Sequence, residues 1–383
     1  MQVIGLSREE VLLGFLVIAL FVVATPLPRC KRFFPLKTPA REKAGLKRKS
    51  KIFLVYCLLS LIMSQISPQT STPSQLNPFD QPGEWLYAFW KFSRPHTIIG
   101  TSLSVLALYL ITLATTTSSV TVESLEQLLG ALLACLCGNV YIVGLNQLED
   151  VEIDQINKPH LPIAAGEFSR QQAQVIVVSL GILALLLAGL LGQWLFLMVG
   201  TSLAIGTAYS LPPIRLKRFP FWAALCIFSV RGAIVNLGLF LHFSDRLSKN
   251  VDFPPAPVWA LTLFIVVFTF AIAIFKDIPD MEGDKQYNIT TFTIQLGKPA
   301  VFNLARWVIT ACYIGMTLAG GLWLHSVNPV FVVITHLVAL GLMWWRSQSV
   351  DLQDKSAIAQ FYQFIWKLFF LEYLIFPAAC LLA

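Results

Sequence analysis

G-L-N-Q-L-E-D-V-E-I-D-Q-I-N-K-P-H-L-P-I-A-A-G-E-F-S, residues 144–169, follows directly on a long apolar run. Within it Asn146, Asp150 and Asp154 recur every four residues. Four residues turn an α-helix by about 400°, so the three side chains are predicted to stay on one stripe. An amide oxygen and two carboxylates on one stripe, at the end of a helix apolar enough for a membrane, make a hard-cation site. Such oxygen ligands suit Mg²⁺, which commonly takes one or two carboxylates together with substrate phosphates.

Composition agrees with a membrane setting. The chain has 383 residues, of which 56% are hydrophobic and only 13% charged. Soluble domains carry about 25% charged residues. About nine runs are long enough to cross a bilayer, near 95–115, 126–146, 172–192, 194–211, 220–243, 257–276, 299–320, 327–345 and 361–382. The expected fold is an all-α polytopic bundle of about nine transmembrane helices. The third and fourth spans run almost together, parted at Gly192-Gln193. Residues 83–383 form the expected intramembrane domain, preceded by an extension at 1–82 with apolar, basic and linker segments.

The net charge of +7 is unevenly placed. Residues 29–51 hold ten Lys/Arg and one Glu, so their own charge exceeds that of the whole chain. That tract reads as a cytoplasmic flank near anionic lipid, and no nucleic-acid-reading module accompanies it. Loop cations (Lys158, Arg170, Arg215, Lys217, Arg218, Lys276, Lys285, Lys298) fall on one side of the bundle, which places that side in the cytoplasm. By the same rule the patch at 52–62 should not span, and residues 1–62 read as dispensable. The seven cysteines are scattered through apolar runs and read as small packing residues, not as a metal or disulfide framework. The five histidines show no ligand spacing, although His96 and His160 fall near the polar motifs.

A second acidic segment, K-D-I-P-D-M-E-G-D at 276–284, follows the sixth span as the first follows the second. Asp277, Asp280 and Asp284 lie at i, i+3 and i+7, again one helical stripe. Up to five carboxylates brought together repel unless cations sit between them, and ionisable groups near a membrane interior mark sites by default. An isoprenoid diphosphate is the natural partner, since Mg²⁺ bridges its oxygens to carboxylates and neutralises the leaving pyrophosphate. Between the two segments lies T-A-Y-S-L-P-P-I-R-L-K-R at 207–218. Tyr209 and Ser210 close the fourth span there, and Arg215 and Lys217 either cap a diphosphate or supply ordinary positive-inside charge. Arg94 starts the first span on the same side. Arg231 and Asn236 lie within the fifth span, where an arginine must pair with a carboxylate or line a polar cavity.

These motifs resemble those of the UbiA-type intramembrane prenyltransferases, N-x-x-x-D-x-x-x-D and D-x-x-x-D. More closely, N-Q-L-E-D-V-E-I-D-Q-I-N-K-P-H-L-P-I-A-A-G-E-F-S, K-D-I-P-D-M-E-G-D, A-Y-S-L-P-P-I-R-L-K-R and V-R-G-A-I-V-N-L-G are similar to the homogentisate prenyltransferases, in particular homogentisate phytyltransferases of the cyanobacterial type. The resemblance covers roughly residues 83–383. It implies a nine-helix fold, Mg²⁺ dependence, a prenyl diphosphate donor (phytyl diphosphate) and homogentisate as acceptor. It also implies loss of the acceptor's carboxylate, giving the methyl-phytyl-benzoquinol precursor of tocopherol. Asn146, Asp150 and Asp154 match its first motif; Asp280 and Asp284, with Asp277 beside them, match its second. Those five matched residues are the expected metal ligands, and Asp150, Asp154, Asp280 and Asp284 the catalytic set. Arg94, Asn146, Asn157, Lys158, Tyr209, Ser210, Arg215, Lys217, Lys276 and Asp277 are the expected substrate-binding residues. The expected location is a cytoplasmic or thylakoid membrane. Competing readings are a solanesyl or other prenyl donor, a chlorophyll synthase, and a cation transporter, the last of which would place its acids mid-span.

Overall fold

The computed structural model describes residues 75–383 except 117, 249–252 and 288; the expectations for residues 1–62 lie outside this range. The described residues form helices and loops with no strand. In chain order the helices are α1 (Pro82–Phe92), α2 (Pro95–Thr116), α3 (Val122–Glu149), α4 (Val151–Asn157), α5 (Arg170–Leu191), α6 (Gln193–Ser210), α7 (Pro220–Leu247), α8 (Ala256–Phe275), α9 (Asp277–Gln286), α10 (Phe292–Leu296), α11 (Lys298–Leu322), α12 (Pro329–Ser347) and α13 (Lys355–Leu381). Eight of them are long and apolar enough to cross a bilayer, and the 18-residue α6 makes the ninth long helix. The nine expected spans correspond to these nine helices. Helix α7 is interrupted by a π-helical turn at Ser229–Ile234.

Local sequence accounts for the helix ends. Thr121 and Ser124 form a capping box that starts α3, and Ser169 with Gln172 forms another at α5, each satisfying backbone N–H groups that have no intrahelical partner. Helix α5 ends at Gly192, whose φ of +151° is open to glycine and strained for other residues. The chain then re-enters the bundle at once as α6, so the expected parting at 192–193 is a hinge without a loop. Helix α1 is the interfacial segment expected before the first span: Ala88 and Phe92 are buried, while Leu86 and Tyr87 are exposed.

In lipid the hydrophobic effect does not drive one helix against another, and close packing must. The pairing of α3 with α5 shows how. Atoms of Leu191, Ala184, Tyr141 and Val177 lie within van der Waals reach of β-carbons placed at Gly130, Gly138, Gly181 and Gly144 respectively. Each step along α3 is matched by a step back along α5, as an antiparallel pair requires. The outer face of α5 carries Val175, Val178, Ile182, Leu186 and Leu190, all exposed and three or four residues apart, which is a lipid-facing stripe. At the centre stands α13. Of its most apolar 18-residue window 83% is buried, against 22% for α5, and Phe361, Phe369, Phe370 and Phe376 fill the middle of the bundle.

The mouth-side end of α3 is located by Gly144. A β-carbon there would lie 2.6 Å from Cζ of Phe92 and 2.7 Å from Cγ2 of Val177, both fully or nearly fully buried. Gly144→Leu is expected to lower thermal stability in detergent by roughly 1–3 kcal/mol, the usual cost of overpacking. Gly341→Leu, where nothing lies within 4 Å, should leave the melting temperature unchanged. Equal melting curves for the two variants would refute this packing account.

Candidate active site

The first acidic motif does not lie on one continuous helix. Helix α3 ends at Glu149, α4 begins at Val151, and Asp150 between them has φ −116° and ψ 21°. This corrects the single-stripe expectation. The four-residue relation nonetheless survives the break, because the Asp154 amide donates to the Asp150 carbonyl at 2.7 Å and Asn146 Nδ2 donates to Asp150 Oδ2 at 2.9 Å. Basic side chains stabilise the break. Arg170 donates to the Leu148 carbonyl at 3.1 Å and Arg215 to the Glu149 carbonyl at 3.4 Å, satisfying acceptors at the negative end of the α3 dipole. The second motif does form one stripe, on α9, with Asp277, Ile278, Gly283 and Asp284 buried.

Helices α4 and α9 pack together and bring the two motifs face to face. Two contacts join them. Asn157 Oδ1 accepts from the Gly283 N–H at 3.0 Å, and Lys158 Nζ reaches Asp280 Oδ2 at 2.5 Å. Asn157, expected at the substrate, is in this structure the clamp between the acidic elements.

Every cation expected at the site faces a carboxylate. Arg215 and Lys217 converge on Asp150 Oδ1 at 3.0 and 2.5 Å; Arg94 lies 3.2 Å from Asn146 Oδ1 and 3.9 Å from Asp154 Oδ2; Lys276 lies 2.8 Å from Asp277 Oδ1. Arg94 and Arg215 are also the two non-glycine residues with positive φ among the described residues, at 51° and 38°. That conformation is costly for a β-carbon-bearing residue and collects at functional sites. Tyr209 is within electrostatic reach of Asp150, Asp277, Lys276 and Arg94. Ser210 is fully buried, its Oγ without a hydrogen-bond partner.

Burial dominates the titration of this cluster. It pushes Asp154 and Asp277 up from the ordinary carboxylate range against the pull of Arg94 and Lys276. Asp284 is pushed up to about 7 by burial, opposed by Lys276 and reinforced by the charges of Asp280 and Asp277. Burial also lowers Lys217 despite Asp150 beside it. Lys276 too is disfavoured by burial, but Asp277, Tyr209 and Asp280 outweigh that and hold it well above its usual value.

Among the described residues no three His, Cys, Asp or Glu side chains converge closely enough to hold a metal ion by themselves. Lysine and arginine side chains occupy the space between the acids instead. The donor chemistry still fits Mg²⁺: the oxygens are hard, and the buried Asp154 Oδ2 has no hydrogen-bond partner. A polyphosphate ligand would supply the remaining oxygens.

A family model described as "UbiA prenyltransferase family" matches residues 103–368. The chain belongs to the UbiA prenyltransferase family. It is therefore a prenyltransferase, and the cation-transporter reading falls away. Homogentisate phytyltransferase of Synechocystis sp. is 58% identical over 299 residues, covering 77% of this chain and 96% of that protein. Homogentisate solanesyltransferase, chloroplastic, of Arabidopsis thaliana is 36% identical over 357 residues, covering 92% and 89%. A UbiA homolog from Archaeoglobus fulgidus solved with GPP and Mg²⁺ shares the fold with a TM-score of 0.53 at 16% identity, covering 75% of this chain and 98% of that one.

Of two further neighbours of the site, His96 is marked in the sequence by its place beside Arg94, and only Tyr362 gives no signal there. Tyr362 of α13 is within electrostatic reach of Lys276, Asp280 and Arg94, and His96 of Arg94, Lys158 and Arg231. Each is a lone polar residue in an apolar helix, and only the packing of α2 against α13 brings it to the mouth.

Asp150 and Asp284 should separate stability from turnover. Asp150→Ala strands two cations and is expected to lower the melting temperature of the metal-free protein as well as turnover. Asp284 behaves oppositely. Its raised folded-state pKa means the native state holds the extra proton, so its contribution to stability is fully present only below the ordinary carboxylate pKa of about 4 and is lost as pH rises from there through about 7. Asp284→Asn should thus raise the melting temperature more at pH 8 than at pH 5, and still lose at least about 90% of kcat, a barrier increase of about 1.4 kcal/mol or more. Melting curves of the EDTA-treated variants at both pH values decide this; a lower melting temperature for Asp284→Asn at pH 8 would contradict it.

Proposed function

We propose that this chain transfers the phytyl group of phytyl diphosphate to homogentisate, with loss of the acceptor's carboxylate, giving 2-methyl-6-phytyl-1,4-benzoquinol. The carrying observation is the mouth itself. Two carboxylate-bearing helix ends are clamped together by Asn157 and Lys158 and ringed by five cations, at one end of an apolar bundle. Such a mouth suits a ligand with a polyanionic head and a long apolar tail. The 58% identity to a homogentisate phytyltransferase, against 36% to a solanesyltransferase, supports homogentisate as acceptor and favours phytyl as donor.

Asn146, Asp150, Asp154, Asp280 and Asp284 would hold Mg²⁺, with Asp277 beside them, as the Mg²⁺ bound to a family member of the same fold supports. When bound, the ion supplies charge neutralisation of the diphosphate and of the leaving pyrophosphate. The chain's own residues do the rest. Arg94, Lys158, Arg215, Lys217 and Lys276 exchange their carboxylate partners for phosphate oxygens and stabilise the charge that develops as the allylic C–O bond breaks. Tyr209 and the unpartnered Ser210 hydroxyl add neutral donors. Apolar helix faces hold the tail and keep water from capturing the allylic cation. As the donor's allylic C–O bond breaks and pyrophosphate leaves, an electron-rich ring carbon of the acceptor forms the new C–C bond and releases its proton. The side-chain carboxylate departs as CO₂, and the CH₂ it leaves takes up a proton to become the methyl group. By the distribution of loop cations the mouth faces the cytoplasm.

Membranes containing the chain are expected to form the prenylated quinol from homogentisate and phytyl diphosphate only with Mg²⁺, and EDTA should abolish product. In a donor panel kcat/KM for phytyl diphosphate should exceed that for solanesyl diphosphate by about tenfold or more, a transition-state difference of about 1.4 kcal/mol. Failure to consume homogentisate with any donor would sink the reading, and a solanesyl preference would move it to a plastoquinone-type product.

A further inference from the structure

Arg231 sits on the π-helical turn of α7, inside a 28-residue span. A single π turn within an α-helix re-aims side chains and is frequent at functional sites. A guanidinium inside a membrane protein needs a counter-charge or a polar cavity. The five cations at the mouth each have a carboxylate within 4 Å. Arg231 has no such partner among the described residues. Its guanidinium lies over the rings of Trp366 and Phe369 of α13, at 5.1 and 5.8 Å from their centroids, and the titratable groups acting on it are the phenols Tyr362 and Tyr373. The acid next along α13, Glu372, is engaged by His336 at 3.1 Å.

Among the described residues, the surroundings of this charge carry no acid. A β-carbon on Gly100 of α2 would lie 3.1 Å from Nη1 of Arg231, 3.4 Å from Phe370 and 3.6 Å from Phe369, so the guanidinium packs closely against the α2 backbone where only a glycine leaves space for it. Arg231 keeps partial accessibility although α2 and α13 enclose it. Stacking on rings uses the faces of a guanidinium and leaves its in-plane N–H groups free for a carboxylate. Gly100 is six residues past Arg94, about 9 Å deeper at the rise of an α-helix. Between the two levels stands His96, with its ring 4.9 Å from that of Trp366 and within electrostatic reach of Arg94, Lys158 and Arg231. From mouth to floor the order is thus diphosphate-directed cations, aromatic rings, and one unpaired arginine.

We propose that Arg231 is the receptor for the carboxylate of the aromatic-acid acceptor, placing the acceptor ring beside the paired rings of His96 and Trp366, beneath the departing diphosphate. The inference rests on the acceptor reading above. It explains why the chain keeps a permanent cation in the bundle with no acid of its own to match it: the acid arrives with the substrate. No bond to Arg231 forms or breaks; the residue selects and orients.

The test uses the full chain in detergent, as wild type, Arg231→Gln and Arg231→Lys, with homogentisate and its carboxylate-free methyl ester as probes. In wild type, quenching of tryptophan fluorescence should report binding of the acid at least tenfold tighter than the ester. Arg231→Gln should raise the homogentisate KM tenfold or more, leave the phytyl diphosphate KM within twofold, and remove the preference for acid over ester. Arg231→Lys, which keeps the charge and loses the fork, should fall between. Should Arg231→Gln fail to fold, the acid-to-ester ratio in wild type and Arg231→Lys decides. A wild-type ratio near one, an unchanged homogentisate KM, or an equal weakening of acid and ester would overturn the assignment. Absence of homogentisate turnover in wild type would instead overturn the functional reading beneath it.

Discussion

Charge at the end of an apolar bundle has to be matched, and the architecture of this chain follows from how the matching is done. Asp150 faces Arg215 and Lys217, Asp280 faces Lys158, Asp277 faces Lys276, and Arg94 reaches toward Asp154. These residues come from four separate stretches of chain, at 94, 150–158, 215–217 and 276–280, so the pairs hold the mouth-side ends of α2, α3, α4 and α9 and the loop after α6 in one register. Partly buried pairs of this kind are weak evidence for stability, because desolvation offsets much of their attraction. Their value here is positional. The cations stand where a polyanion would be bound, and the carboxylates stand where a divalent ion would be.

The same demand shapes the backbone. Helix α3 breaks at Asp150 rather than running on, and the carbonyls freed by the break accept from Arg170 and Arg215. Arg94 and Arg215 take a left-handed conformation that costs free energy. Away from the mouth packing is the main constraint: antiparallel α3 and α5 close on small residues, and a column of phenylalanines on α13 fills the centre. Such a bundle presents mostly apolar helix faces, with Arg231 and the His336–Glu372 pair as ionisable groups deeper in.

Much of this was legible in the chain itself. The nine spans follow from runs of apolar residues whose length the bilayer thickness dictates, and all nine recur as helices. The acid spacing in both motifs, the cations around them and the family likeness follow from short-range periodicity, because helical geometry maps sequence spacing onto a face. The i, i+3, i+7 stripe of Asp277, Asp280 and Asp284 is that mapping without exception. It misleads at Asp150, where Arg215 and Lys217, more than sixty residues further along the chain, stabilise a break that no local rule anticipates.

Sequence alone determined that the chain is a helical membrane protein with two acidic motifs, since composition, period and spacing are local properties; that it transfers prenyl groups came from the resemblance of those motifs to a known family. Tertiary structure decided which charge meets which. It made Asn157 a clamp on Gly283, set Lys158 against Asp280, buried Asp284 so that its carboxyl is pushed up to about 7, and set Arg231 over aromatic rings. Ion pairing and desolvation depend on distances of a few ångströms between residues far apart in the chain. Those distances exist only once the helices have packed.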